Sequence, residues 1–319
     1  MVTAAASFSL VRHELARVEQ ALAETAQPDH PLLGPMLSTI LPGSGKRLRP
    51  TLAMLVGNLG EFRLEPMLHM ATGVELLHTA SLVHDDVVDE SELRRGSRTL
   101  FTRVGNALAV LVGDYLFAQA AERCVATHNV RVIGLFAQTL SSMCQGQIEE
   151  ASRGNEPHLT VTKDAYLQTI WGKTASLFVL ACEGSAILAG LDEPRIQAMR
   201  RYGERVGLAF QIVDDLLDFV GDEASLGKRV GSDLRQGTIT LPVICLRDAL
   251  PAAEFAAAFD EYDVDRLVEL VRGSAAIERA RAEAERLLEE ARSSLELVPA
   301  GEPRDALECL THYVAERRA

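Results

Sequence analysis

Two short acidic clusters hold most of the chemistry that this sequence offers. Asp85-Asp86-Val87-Val88-Asp89 closes a run over residues 66–88 in which Leu68, Ala71, Val74, Leu77 and Ser81 recur at helical spacing. Asp85 and Asp89 therefore project from one face. Carboxylates at i and i+4 repel when both are ionised, so the pair destabilises its helix unless a positive charge sits between them. A hard divalent cation such as Mg²⁺ meets that need, because it takes a few carboxylate oxygens and completes its shell with water and phosphate oxygens. Asp214-Asp215-Leu216-Leu217-Asp218 repeats the pattern after a second helical run that starts near residue 194, with Met199, Tyr202, Val206, Phe210 and Val213 as its apolar set. A solvated helix end is the ordinary fate of one such cluster. Two of them, each followed by a loop containing Gly and Arg, are expected to confront each other across a metal-filled mouth.

Metal ions held there would neutralise a diphosphate and make it a good leaving group. No side-chain nucleophile is then required, and the sequence offers neither a Ser/His/Asp nor a Cys/His arrangement at a recognisable spacing. Gly45-Lys46-Arg47 lacks the spacing and the hydroxyl residue of a Walker loop. The stretch 45–49, placed just before a helix start, is either a second anion site, with Lys46, Arg49 and free backbone N–H groups converging, or an exposed basic loop. Arg94 and Arg95 either clamp a phosphate or balance Glu90 and Glu92. Lys173, inside an otherwise apolar helix, either reaches solvent or points into a polar cavity. His78 and Gln211 taken alone read as polar residues satisfied within packed helices.

The elements that must position these residues are helical throughout. Helical periodicity with Pro and Gly punctuation predicts an all-α chain with helices over 9–26, 31–41, 50–59, 66–88, 106–128, 131–152, 163–188, 194–218, 241 onward, 264–272 and 275–295. Gly172-Lys173-Thr174 interrupts the 163–188 helix and marks a kink. Residues 90–98, 152–162 and 221–240 read as loops. No repeat and no interdomain linker is visible, so residues 1–319 are expected to form a single domain.

The net charge of −13 argues against a nucleic-acid partner, whereas the dense basic stretches 46–49, 94–95 and 228–229 suit a small anionic ligand. Five dispersed cysteines read as reduced thiols of a cytoplasmic protein. No signal peptide is expected, and the most apolar segment, 174–191, carries Glu183 and reads as a buried core helix.

In order along the chain, Gly45-Lys46-Arg47-Leu48-Arg49-Pro50, the run 78–89, Arg94-Arg95-Gly96, Gly172-Lys173-Thr174-Ala175, Phe210-Gln211 before Asp214-Asp215-Leu216-Leu217-Asp218, Leu226-Gly227-Lys228 and Gly231-Ser232-Asp233-Leu234 resemble the motifs of the trans-isoprenyl diphosphate synthases, or polyprenyl synthetases. The resemblance covers nearly the whole chain and departs from the family pattern at Ser44 and Thr238. It implies a homodimeric all-α bundle of the isoprenoid synthase type around a deep central cavity. It further implies about two or three Mg²⁺ ions on Asp85, Asp89 and Asp214, with Asp86, Asp215 and Asp218 in support. Isopentenyl diphosphate would be held by Lys46, Arg49, His78 and Arg95, and an allylic diphosphate by Arg94, Lys173 and Lys228. Thr174 and Gln211 would lie near the allylic cation formed on ionisation, which the double bond of isopentenyl diphosphate attacks before a proton is lost.

Product length is expected to depend on Ala80 and Ser81, one turn before Asp85. Both are small, and in the family an aromatic side chain there resembles a floor for short products. Their size points to a longer product, roughly six or more isoprene units, of the kind used as a quinone side chain, with peripheral membrane contact for its release. A floor set instead by Leu108, Val112 or Met143 would give a geranylgeranyl or farnesyl product. Two other functions compete: a class I terpene cyclase, which shares the first acidic motif but not the Gly-Lys-Arg loop, and a non-catalytic subunit of a two-chain synthase, which tends to have lost the carboxylates retained here.

Overall fold

The computed structural model describes residues 4–41, 47–94, 96–153, 161–221, 229–260 and 263–317. Its helices are α1 (Ala4–Leu10), α2 (Arg12–Thr25), α3 (Leu33–Ile40), α4 (Leu48–Gly57), α5 (Leu64–Val88), α6 (Leu100–Val104), α7 (Asn106–Val125), α8 (Val130–Arg153) and α9 (Lys163–Ile170). They continue as α10 (Ser176–Leu188), α11 (Glu193–Val220), α12 (Ser232–Arg235), α13 (Leu241–Arg247), α14 (Ala252–Asp260), α15 (Val264–Gly273), α16 (Ala276–Ser294) and α17 (Glu302–Ala315). The only paired strands among the described residues are the two-residue β1 (Leu93–Arg94) and β2 (Ser97–Arg98), antiparallel across the turn after α5. The all-α expectation holds, and most helix ends fall within a few residues of their sequence signals. The expected 9–26 helix is broken at Val11, and Pro50, expected to open its helix, sits one turn-fraction inside α4, which begins at Leu48.

The chain divides into two compact units. The first comprises 1–139, 177–203 and 294–310. Its centre is α5, whose buried residues run round the whole helix rather than along one stripe, as expected of a helix enclosed on every side. Helices α2, α4 and α7 pack against it. Two glycines permit the α5 to α7 approach. A Cβ on Gly73 would stand 3.3 Å from the Ala120 carbonyl oxygen, and one on Gly113 only 2.2 Å from His84 Nε2. Segment 174–191 reads correctly as core, since Glu183 is buried between Arg131 and Arg200 at 3.6 and 3.9 Å. No helix among the described residues is long and apolar enough to cross a membrane.

The second unit comprises 140–176, 204–293 and 311–319. Here the expected kink is a π-helical turn, Trp171–Ala175, between α9 and α10. Its cause is a close helix contact. A Cβ on Gly172 would lie 2.7 Å from the Ser142 carbonyl oxygen, and one on Gly146 would lie 2.7 Å from the Lys173 backbone nitrogen. Two glycines thus press backbone on backbone, and the wide turn carries the extra residue there.

Candidate active site

The first acidic cluster closes α5. Asp89 is the residue just past the helix, its N–H donating to the Asp85 carbonyl at 2.8 Å. Its three carboxylates have different surroundings because successive helical residues point about 100° apart. Asp86 turns inward and is only 6% exposed; its Oδ1 accepts from Arg94 Nε at 2.8 Å, and burial raises its pKa against the pull of that guanidinium. Asp85 is half-buried and Asp89 exposed. Arg94, read from sequence as either a phosphate clamp or a balance for Glu90 and Glu92, is carried by the β1–β2 turn onto Asp86.

The second cluster lies inside the last two turns of α11, which runs on to Val220 rather than ending at Asp218. Its second carboxylate is again buried, and here the third is buried too. Asp215, 4% exposed, accepts from Tyr166 Oη at 2.5 Å and from Gln211 Nε2 at 2.8 Å, and Gln211 Oε1 in turn accepts from Thr174 Oγ1 at 2.7 Å. Burial and the neighbouring Asp233 push the Asp215 carboxyl well above the usual range, while the two donors pull it down. The Tyr166 phenol is raised well above its ordinary value, chiefly by burial and by Asp215, so it stays protonated and donates. Asp218, 1% exposed, accepts from the Asp233 N–H at 3.1 Å, which ties α11 to the start of α12. Asp214 is half-exposed and paired with Arg317 at 2.6 Å, whose guanidinium also lies over the Phe210 ring at 4.1 Å.

Of the other residues singled out from sequence, Thr174 and Gln211 are brought together as described. Lys173 does not simply reach solvent: it forms an ion pair with Glu150, and both side chains are about a quarter exposed. Arg49 sits in the first turn of α4 with its guanidinium 4.6 Å from the Phe178 ring centre. Its neighbour Arg47 is structural. Held at φ 44°, a region costly for a long side chain, it donates to Glu19, to buried Glu75 at 2.6 Å and to the Leu41 carbonyl. His78 is half-buried, Ala80 fully buried, and Ser81 donates to the His78 carbonyl. Lys46, Arg95 and Lys228 lie outside the described residues.

Tyr166, Glu150 and Arg317 escaped the sequence reading, and Asp233 was read only as part of the motif 231–234. Tyr166 and Glu150 each sit within a helix, and no spacing marks them. Arg317 stands far along the chain from the carboxylate it meets.

Among the described residues no three His, Cys, Asp or Glu side chains converge as a metal-holding group. The donors at each helix end nonetheless fit a hard divalent ion. Asp85 and Asp89 offer carboxylate oxygens at the negative end of the α5 dipole, where carboxylates are otherwise disfavoured. Asp214 holds the matching half-exposed place near the end of α11, whereas Asp218 is buried there.

The polyprenyl synthetase family model matches residues 30–265. The chain is 39% identical over 319 residues to heptaprenyl diphosphate synthase component 2 of Geobacillus stearothermophilus, covering 98% of each. It is 33% identical to the octaprenyl diphosphate synthase of Haemophilus influenzae, over 95% of this chain and 94% of that one. Among solved structures it is similar to a polyprenyl synthase from Caulobacter crescentus complexed with calcium and isoprenyl diphosphate, with a TM-score of 0.92, 33% identity and coverage of 99% and 98%. The chain belongs to the polyprenyl synthetase family, with the all-α fold of the isoprenoid synthases. Its activity is that of a trans-prenyltransferase.

Proposed function

We propose that this prenyltransferase condenses an allylic diphosphate, farnesyl or geranylgeranyl, with isopentenyl diphosphate to give an all-trans polyprenyl diphosphate of roughly six or more isoprene units, releasing diphosphate. Asp85, Asp89 and Asp214 hold Mg²⁺, and Asp86, Asp215 and Asp218 support them from their buried positions. Bound Mg²⁺ supplies charge neutralisation on the departing diphosphate. Lys173 and Arg94, with Lys228, orient the allylic diphosphate, while Lys46, Arg49, His78 and Arg95 orient isopentenyl diphosphate. The Thr174 and Gln211 oxygens stabilise the allylic cation, and the departing diphosphate takes the proton. Residues 1–319 act as one functional domain, working as a cytoplasmic homodimer that touches the membrane when product leaves.

The observation that carries this reading is the paired treatment of the two clusters. In each, the second Asp is buried and tied to a donor while the first stays half-exposed. Family membership and the long-chain names of its relatives support it. The test is to incubate the purified chain with Mg²⁺, isopentenyl diphosphate and farnesyl diphosphate and weigh the dephosphorylated product. An EDTA-sensitive long-chain alcohol is expected.

The name of the 39% relative, component 2, favours a second reading in which this chain needs a different partner chain. Absence of elongated product from the chain alone, with Mg²⁺-dependent diphosphate binding retained, would favour that reading.

Ala80→Phe should shorten the product. Ala80 is fully buried, so the added ring must displace its neighbours, an overpacking of about 1–3 kcal/mol. A product distribution identical to that of the unmodified chain would remove Ala80 from the length-setting role.

A further inference from the structure

The second unit contains a buried phenol whose hydroxyl is held by a carboxylate of the second acidic cluster. Tyr166 is 4% exposed, and its hydroxyl donates to Asp215 Oδ2. The other oxygen of the same carboxyl accepts from Gln211, which itself accepts from Thr174. The four side chains form one continuous path, Tyr166 to Asp215 to Gln211 to Thr174, between the α9–α10 segment and α11.

The backbone explains why both hydroxyls reach α11. Over eight residues an α-helix turns about 800°, which would leave Tyr166 and Thr174 about 80° apart. The π-helical turn Trp171–Ala175 takes up about one extra residue, which brings the two back to within about 20° of each other. Gln211 and Asp215, at i and i+4, share one face of α11 and meet them. The wide turn therefore serves a second end besides the Gly146–Gly172 contact: it sets the register of two hydroxyls on one acceptor system.

We infer that Tyr166 is a positioning residue for the prenyl transfer, fixing the Asp215 carboxyl and, through Gln211, the Thr174 hydroxyl. The inference rests on the proposed diphosphate and Mg²⁺ reading of the second acidic cluster. Asp215 has two oxygens and two neutral donors, so its plane is fixed; with one donor it can rotate, and its field on the adjacent Asp214 is no longer set. Partners outside the ligands of a metal site matter by about 10–100-fold.

The test is a double-variant cycle with two readouts: steady-state kinetics, and calorimetric binding of inorganic diphosphate in Mg²⁺. Tyr166→Phe keeps the ring and removes the hydroxyl. It is expected to lower kcat about 10–50-fold, to weaken Mg²⁺-dependent diphosphate binding about 5–10-fold, and to leave the KM for isopentenyl diphosphate within about twofold. In an Asp215→Ala background, where the hydroxyl has nothing to hold, the same change should alter diphosphate binding less than about twofold. Equal losses in both backgrounds, or no loss in the first, overturn the inference while leaving the proposed function standing. An unmodified chain that neither elongates farnesyl diphosphate nor binds diphosphate with Mg²⁺ takes both down. Should Tyr166→Phe melt before assay, the double variant, in which no buried carboxylate has lost its donor, must melt higher than the single one; a lower melting temperature sinks the idea.

Discussion

Asp85→Asn is expected to lower kcat by about 10³-fold or more, equivalent to about 4 kcal/mol of lost transition-state stabilisation. The amide keeps the size and polarity of the carboxylate but removes the charge that a hard cation needs, and Asp89 alone on that face is a poor substitute. Because the loss falls on diphosphate departure rather than on capture of isopentenyl diphosphate, the KM for the latter should change little. Asp86→Asn is the informative control. Asp86 is buried and already neutralised by Arg94, so its replacement should cost distinctly less than that of Asp85. Steady-state assay across a Mg²⁺ series checks both. If Asp85→Asn turns over as fast as the unmodified chain at every Mg²⁺ concentration, the carboxylate is not a metal ligand and the proposed function loses its basis.

Gly146→Ala carries the second large effect, on stability and chemistry together. The new methyl would stand 2.7 Å from the Lys173 nitrogen and 3.0 Å from the Thr169 carbonyl oxygen, and both are backbone atoms that cannot swing aside. Relief requires α8 to move away from the π-helical turn, at a cost of about 3 kcal/mol and roughly 4–5 °C in Tm. The same displacement pulls Lys173 from Glu150 and Thr174 from Gln211. Calorimetric melting and turnover should therefore fall together. A variant as stable as the unmodified chain would mean the two backbones do not press on each other at this point.

Both predictions concern residues of ordinary type at crowded positions. Asp86 and Asp85 are identical in composition and adjacent in sequence; a rotation of about 100° puts one against Arg94 in the interior and leaves the other facing outward. Asp215 and Asp214 differ in the same way, the first held by Tyr166 and Gln211, the second by Arg317.

Much of this was legible from local pattern. Apolar residues at helical spacing mark nearly every helix, because an amphipathic or enclosed helix must bury a defined face, and that periodicity survives in the linear sequence. The two acidic pentads were visible for a related reason. A metal-holding carboxylate pair on a helix needs the i, i+4 interval, so its geometry is written in the spacing itself. Gly172 in the middle of a helical run likewise announced an irregularity.

What the tertiary structure alone decided are partnerships between residues distant along the chain. Arg47 reads as one of three basic residues in an anion-binding loop, yet its partners, Glu19 and Glu75, lie 28 residues away on either side, and they make it a brace for the start of α4. Tyr166 has no sequence signal toward Asp215. At eight residues from Thr174 it would stand about 80° away round a regular α-helix, and the extra residue taken up at Trp171–Ala175 brings the two into line. That turn exists because two glycines, 26 positions apart, let two backbones touch. Spacing records what a single helix does. The angle at which one helix meets another, and any irregularity that the meeting imposes, depends on atoms that the sequence does not place side by side.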